Sequence, residues 1–314
     1  MRALPAARHR LAACRHAHGW QLPRLCRSRA WPATPALPSR RLSSFTLVDN
    51  ETWAQDELVL PSVRLRQEAT DWSRAAEIGL GAVVWDAALA FCGLVESCGE
   101  AGAEFWRGKS VLELGAGCGA AGLTLAAKGA EVVLTDREAV LPLLERNVAL
   151  NTDFPASVRF LEWEDAGLAD FKIDRPGRVQ QTFDVILGTD LIGVDPDRRS
   201  GEDLFGPLRG VLLLALEVAP QSLVLLSYEE RGPLRLENLG ALFVPLLDVG
   251  EVWEFQAPAS VARPCVRHLC LRGSQAGEAG PFEAWRQLLL EAAGGGEGGR
   301  FERLDLGTFI PEEE

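Results

Sequence analysis

The sequence predicts an α/β fold built on an open, mostly parallel sheet with helices on both faces. Three observations predict it. Lys109 to Asp136, KSVLELGAGCGAAGLTLAAKGAEVVLTD, reads as strand, glycine loop, helix, strand, which is a crossover unit between parallel strands. Short apolar runs keep alternating with helical patterns as far as Leu271. Polar residues collect just after those runs, where open α/β sheets bind ligands.

The elements follow in order. Leu58, Leu60, Val63 and Leu65 suggest short strands in an irregular lead-in, and Asp86 reads as the N-cap of a helix reaching about Ser97. Gly99 to Gly108 reads as a loop. Val111 to Leu114 is the first core strand, the helix after it carries Leu123 and Leu125, and Gly129 stops that helix. Val132 to Leu134 is the second strand, with Asp136 just past its end. A helix over Ala139 to Leu150 and a strand over Val158 to Trp163 come next, followed by a polar loop over 166–182. Phe183 to Leu187 is the fourth strand, with Gly188, Thr189 and Asp190 after it. A helix over Leu204 to Leu216, a strand over Ser222 to Ser227, a helix over Leu234 to Leu247 and two strands over Glu251 to Phe255 and Val266 to Leu271 complete the body. Phe282 to Ala292 reads as a short amphipathic helix in a tail that begins at Ser274.

With 314 residues the chain can bury a full core. Its charge is unevenly spread. Residues 1–48 hold nine arginines and no Lys, Asp or Glu, so removing them from the net charge of −12 leaves −21 for the rest. An acidic body disfavours nucleic-acid binding, which relies on Lys and Arg against phosphates; a basic protein partner suits it better. The seven cysteines form no CxxC, and three of the four histidines lie in the first 18 residues. A disulfide framework and a metal site are therefore not expected, and His268 reads as structural. No apolar run is long enough for a convincing membrane span.

Residues 1–45 are Arg-rich and acid-free and contain Ser28, Ser39, Ser43 and Ser44. This composition suits a transit segment directed to a mitochondrion or chloroplast; without it the protein would be cytoplasmic. The expected organisation is therefore a transit segment at 1–45, a domain at 46–273 and a C-terminal extension at 274–314.

The glycine loop admits two ligands. Gly117, Gly119 and Gly122 satisfy GxGxxG, and Asp136 lies 19 residues after Gly117, an arrangement that suits a dinucleotide such as NAD. The same loop reads Glu113-Leu114-Gly115-Ala116-Gly117-Cys118-Gly119, with an acid two residues before the first glycine. A carboxylate beside a pyrophosphate is unfavourable, whereas beside a cationic ligand it is favourable. This second pattern resembles motif I of the class I S-adenosylmethionine-dependent methyltransferases. Cys118 reads as a small residue filling the turn.

Four further stretches narrow the resemblance: Trp85-Asp86 in VVWDAALAFC, Trp163 in LEW, Asp190 in VILGTDLI, and SYEER at Ser227 to Arg231. With the glycine loop they resemble the seven-β-strand protein-lysine methyltransferases, particularly the branch that includes the valosin-containing-protein lysine methyltransferase. The resemblance covers residues 78–255. It implies a Rossmann-like, seven-stranded class I methyltransferase domain that uses S-adenosyl-L-methionine on a protein substrate presenting a lysine; a monomer is expected. It places Trp85, Glu113, Gly115, Ala116, Gly117, Asp136, Trp163 and Thr189 around S-adenosylmethionine and makes Asp190, which opens the family's DxxY motif, the catalytic residue against the acceptor lysine.

The chain departs from that motif. Gly193 stands at the aromatic position, and the one tyrosine, Tyr228, is placed to contribute only from the neighbouring strand. Two alternatives stay open at this level: a methyltransferase-like binding protein with little catalysis, and an NAD-dependent oxidoreductase.

Overall fold

The computed structural model describes residues 55–68, 78–173, 181–192, 205–230, 239–258, 261–263, 265–274, 276–277, 280–294 and 299–304. The expected transit segment and Gly193 lie outside these residues. All described residues belong to one compact unit formed by 40–193 and 205–314.

A small hairpin comes first, from β1 (Glu57–Val59) and β2 (Arg64–Arg66). A 3₁₀ turn at Gly79–Ala82 leads into α1 (Asp86–Ser97), followed by α2 (Gly99–Trp106), β3 (Ser110–Leu114), α3 (Ala120–Ala127) and β4 (Glu131–Asp136). Next come α4 (Leu141–Ala149), β5 (Ala156–Phe160), a two-residue pair β6 (Lys172–Ile173) and β7 (Gln181–Thr182), and β8 (Val185–Thr189). The chain continues with α5 (Gly206–Val218), β9 (Leu223–Glu229), α6 (Gly240–Phe243), β10 (Gly250–Gln256), β11 (Val266–Gly273), α7 (Pro281–Ala292) and β12 (Arg300–Arg303).

The main sheet has the order β12-β10-β11-β9-β8-β3-β4-β5. From β5 to β9 all neighbours are parallel; β9–β11, β11–β10 and β10–β12 are antiparallel. The central strands are buried on both faces, which is why β3 and β8 read as continuous apolar runs rather than alternating ones. Val111, Val185 and Leu187 belong to a core layer with side chains of α1, α3, α4 and α7. Leu112, Leu114 and Ile186 belong to the opposite layer, with side chains of α5 and α6. The order of chain connection reverses at β3: β4 and β5 build outward on one side, then the chain crosses back to lay β8 and β9 on the other. This switch point opens a crevice at the carboxyl ends of β3 and β8.

The structure changes several expected boundaries. Gly99 to Gly108, expected as a loop, is mostly α2. Its glycines imitate a breaker, yet Gly102 sits where a β-carbon would stand 2.7 Å from Cβ of Cys98, and buried Trp106 anchors the helix to Trp285 of α7, with ring centroids 5.3 Å apart. Asp86 is the first residue of α1 rather than its N-cap, which is Trp85; its carboxylate pairs with Arg263. The fourth and fifth strands run further than expected, taking in Gly188 and Thr189, and Tyr228 and Glu229. The stretch from 274, expected as an extension, contributes to the same body. Phe282, Trp285 and Leu289 of α7 are buried against the sheet, and β12 adds an eighth strand beside β10.

Trp285 is 1% exposed and packs its ring against Phe105 and Trp106, with centroids 5.4 and 5.3 Å apart. Trp285→Ala is expected to cost about 3–5 kcal/mol of stability, the usual range for an aromatic truncated in a core. Chemical denaturation checks it; a loss below about 1 kcal/mol would mean that α7 is peripheral.

Candidate functional site at the carboxyl ends of the parallel strands

The glycine loop leaves β3 with Gly115, Gly117 and Gly119 all in the left-handed region, at φ of 57°, 54° and 80°. At such angles a side chain is strained, so the turn selects glycine. Gly122 is required for a different reason. It sits inside α3, where a β-carbon would stand 2.3 Å from Oε2 of Glu113 and 2.4 Å from Cδ2 of Leu134. Its bare backbone lets α3 lie close on the sheet.

Neighbouring strands fix the loop. The Gly117 N–H donates to Oδ2 of Asp136 at 2.7 Å, and the Ala116 N–H donates to the Thr135 carbonyl at 2.9 Å. The second oxygen of Asp136 accepts from the Arg137 N–H at 2.8 Å. Burial pushes the Asp136 carboxyl pKa upward, and the two N–H donors oppose that shift. Asp136 stands at the crevice end of β4 and is 9% exposed. A carboxylate has about four acceptor positions, so these two bonds leave acceptor capacity for hydroxyl donors.

Above the loop lies the turn Gly79–Ala82. A β-carbon on Gly117 would stand 3.5 Å from Cα of Gly81. Trp85 follows this turn, half-buried, with its indole N–H donating to the Leu80 carbonyl at 2.7 Å. Half-buried Trp163, in the turn after β5, reaches the other side of the loop; its Cζ2 is 3.3 Å from where a β-carbon of Gly115 would stand. Thr189 ends β8, pairs with Ser227 of β9 and is 9% exposed. Asp190 follows it, half-buried, and its N–H donates to the Ser227 carbonyl at 2.6 Å. Gly115, Ala116, Gly117, Asp136, Trp163, Thr189 and Asp190 therefore gather at one edge of the sheet, with Trp85 just beyond the covering turn.

Two expectations are corrected. Glu113 does not face a ligand. It is 1% exposed in the middle of β3, where Oε2 accepts from the Gly122 N–H at 3.0 Å and Oε1 is buried without a hydrogen-bond partner. Burial, the largest cause, pushes its pKa up to about 8, so it is mainly uncharged at neutral pH and supports the loop from beneath. Tyr228 does not reach the crevice. It is fully buried in the layer with Leu239, Leu242 and Phe243, so it cannot replace the missing DxxY aromatic.

Three buried amides were not singled out from the sequence. Asn147 accepts from the Arg66 N–H and donates to the carbonyls of Arg66 and Cys118, at 2.7, 3.0 and 2.8 Å. Asn151 holds Arg64 in the same way, at 3.1 and 2.8 Å. Gln67 accepts from the Val84 N–H at 2.7 Å. Together they attach the β1–β2 hairpin to the glycine loop and to the turn above it. The readable signal was the spacing of Asn147 and Asn151, four apart along one helical face.

The residues present fit S-adenosylmethionine. The loop offers unsubstituted backbone for close approach, Asp136 offers acceptors at the next strand end, and Trp163 offers a flat apolar face suited to an adenine.

The fold and this strand-end arrangement are those of a class I methyltransferase. A family description of lysine methyltransferases matches residues 66–238, more than half of the chain, and the chain belongs to that family. It is 35% identical over 147 residues to a Xenopus tropicalis protein named protein N-lysine methyltransferase METTL21A, covering 46% of this chain and 59% of that protein. It is 38% identical over 119 residues to a Xenopus tropicalis protein named EEF1A lysine methyltransferase 3, covering 37% and 47%. The chain thus spans about half the length of the relatives it matches. Among solved structures, an RNA methyltransferase of T. thermophilus (RsmC, in complex with AdoMet and guanosine) aligns with 62% of this chain and 45% of its own, at 22% identity and a TM-score of 0.40. Family membership leaves the NAD-dependent alternative without support.

Glu113 generates a pH test. Its folded pKa of about 8 is above its ordinary 4.5. A raised acid stabilises the fold fully below the ordinary value, and the contribution is lost as pH rises through about 8. Glu113→Gln keeps an acceptor oxygen for the Gly122 N–H and cannot ionise. Between pH 6 and 9 the wild type is expected to lose Tm relative to Glu113→Gln, by about 2–4 °C for each kcal/mol. Parallel Tm curves for the two proteins would contradict the buried, neutral assignment.

Proposed function

We propose that this protein is an S-adenosylmethionine-dependent protein-lysine N-methyltransferase, acting as a monomer. The observation that carries the reading is the meeting of the glycine loop, Asp136, Trp163 and Asp190 at the switch point of the sheet. Its membership of the lysine methyltransferase family supports the same conclusion.

The roles divide across the crevice. The backbone of Gly115, Ala116 and Gly117 lies against the cofactor, and Asp136 accepts hydrogen bonds from its ribose hydroxyls. Trp163 would offer its flat face to the adenine, and Thr189 would border the pocket; Trp85 would act from beyond the covering turn. S-adenosylmethionine would supply an electrophilic methyl group on a sulfonium; as the N–C bond to the lysine forms, the C–S bond breaks and S-adenosylhomocysteine leaves. The acceptor lysine must react as the neutral amine, although its ordinary pKa is about 10.4. The Asp190 carboxylate receives the lysine N–H and holds the nitrogen in line. The neighbouring sulfonium cation and the exclusion of water lower the lysine pKa, against the Asp190 carboxylate, which raises it, and the ammonium proton is released to solvent before attack. Alignment and dehydration supply the rate enhancement, without a covalent enzyme intermediate. Exposed Glu164 and Asp165 beside Trp163 give the rim a negative field that suits a basic protein acceptor.

The glycine at position 193 favours one rival, a protein that binds the cofactor and a partner with little turnover. Calorimetry and transfer assays separate the two. Wild type is expected to bind S-adenosylmethionine and to pass labelled methyl groups into lysines of extract proteins. Asp136→Ala should abolish binding. Asp190→Asn should keep affinity within about 3-fold and reduce transfer by at least about 10-fold. Binding without transfer above the Asp136→Ala control, across extracts, would favour the rival.

Residues 1–45 support an organelle destination by composition. A fluorescent protein fused behind residues 1–48 is expected to enter mitochondria or chloroplasts. A diffuse cytosolic signal would overturn that proposal.

A further inference from the structure

Asp190 has a backbone unlike its neighbours. Its φ is 56°, and among the described residues no other non-glycine residue has a positive φ. Asp tolerates this region better than most residues, but a left-handed residue directly after a strand has to be held there. On one side the hold is visible. The Asp190 N–H donates to the Ser227 carbonyl at 2.6 Å, continuing the β8–β9 ladder by one residue.

Leu191 follows directly after Asp190. Its half-buried side chain packs with the core layer under α5 and occupies space that two glycines leave. A β-carbon on Gly188 would stand 2.5 Å from Cδ1 of Leu191, and one on Gly115 would stand 2.6 Å from Cδ2. Gly188 lies inside β8, where a glycine weakens a strand unless another group approaches its backbone closely. Here Leu191 is that group. Gly115 opens the cofactor loop at the end of the adjacent strand β3. One side chain therefore bridges the two strand ends, with one methyl against each glycine.

We propose that Leu191 is a positioning residue, wedged in the socket left by Gly188 and Gly115, that holds Asp190 in its left-handed conformation and ties the acceptor side of the site to the glycine loop. The inference rests on the methyl-transfer reading of Asp190. Leu191 itself touches no reacting atom; it acts through the turn that presents the carboxylate. Emptying the socket lets Asp190 relax toward ordinary angles. Filling the socket from Gly188 pushes Leu191, and Asp190 with it, out of place.

The test uses the full chain and three variants: Leu191→Ala, Gly188→Ala and the volume-conserving Leu191→Met. Three quantities are measured: affinity for S-adenosylmethionine by calorimetry, initial rate of labelled methyl transfer into extract proteins at saturating S-adenosylmethionine, and Tm. Leu191→Ala and Gly188→Ala are expected to lower the rate by at least about 10-fold while affinity stays within about 3-fold, and Leu191→Met to keep most of the rate. Such a split between rate and affinity is not what a general loss of structure produces. A wild-type rate in Leu191→Ala overturns the inference and leaves the methyltransferase reading intact. Rate and affinity falling together with Tm also overturns it, since Leu191 would then be ordinary core. A wild type that binds no S-adenosylmethionine, or transfers nothing, overturns the reading and this inference with it.

Discussion

The hydrogen bond from the Gly117 N–H to the Asp136 carboxylate is the constraint on which the site depends. It joins the loop after β3 to the end of β4. Charge-assisted bonds of this kind contribute about 1.5–3 kcal/mol when shielded from water. A turn of three left-handed glycines has large conformational freedom in the unfolded chain and needs such anchors. Thr135 adds another, its hydroxyl donating to the Glu113 carbonyl at 2.6 Å. Beneath the loop, Glu113 holds the first turn of α3 through Gly122. Two acids thus grip the loop from two directions, and their environments separate their roles. Glu113 is sealed in the sheet and mainly neutral, while Asp136 keeps an edge toward the crevice.

The crossover architecture was legible because its strands are apolar on both faces and its helices keep a regular period. That Gly115, Asp136, Trp163 and Asp190 would meet at one edge of the sheet was legible because each follows a strand, where sequence position alone places a residue. What escaped reading was decided by distant partners. The helix after Gly99 is specified by Trp106 meeting Trp285, almost 180 residues later, not by its own glycine-rich sequence. The eighth strand exists because β10 offers an open edge to Arg300–Arg303. Neither pairing has a local signature.

Glu113 and Tyr228 were misread for one reason. Each was assigned from chemical type, when the surrounding pattern already fixed its environment. Glu113 lies within a five-residue strand buried throughout, so its side chain had to be enclosed whatever its charge. Tyr228 lies in a run of buried residues in β9 and alternates with Leu226 onto the α5–α6 layer. An ionisable or aromatic residue inside such a run belongs to the core before it belongs to a site.

The two halves of the crevice differ in how firmly they are specified. On the cofactor side, several independent backbone bonds and close glycine contacts agree on one geometry. On the acceptor side, the aromatic of the family motif is absent, and Tyr228 is too deep to compensate. What remains there is a carboxylate on a left-handed turn. Nearby on β11, Arg267 is paired with Glu254 at 2.6 Å and with Glu230 at 3.2 Å. Behind the turn, His268 is buried against Ser227 at 2.8 Å, and burial lowers its pKa to about 4, so it stays neutral and adds no cation. Under the proposed reading, the placement of the Asp190 carboxylate on that turn would have to set the angle at which a lysine attacks.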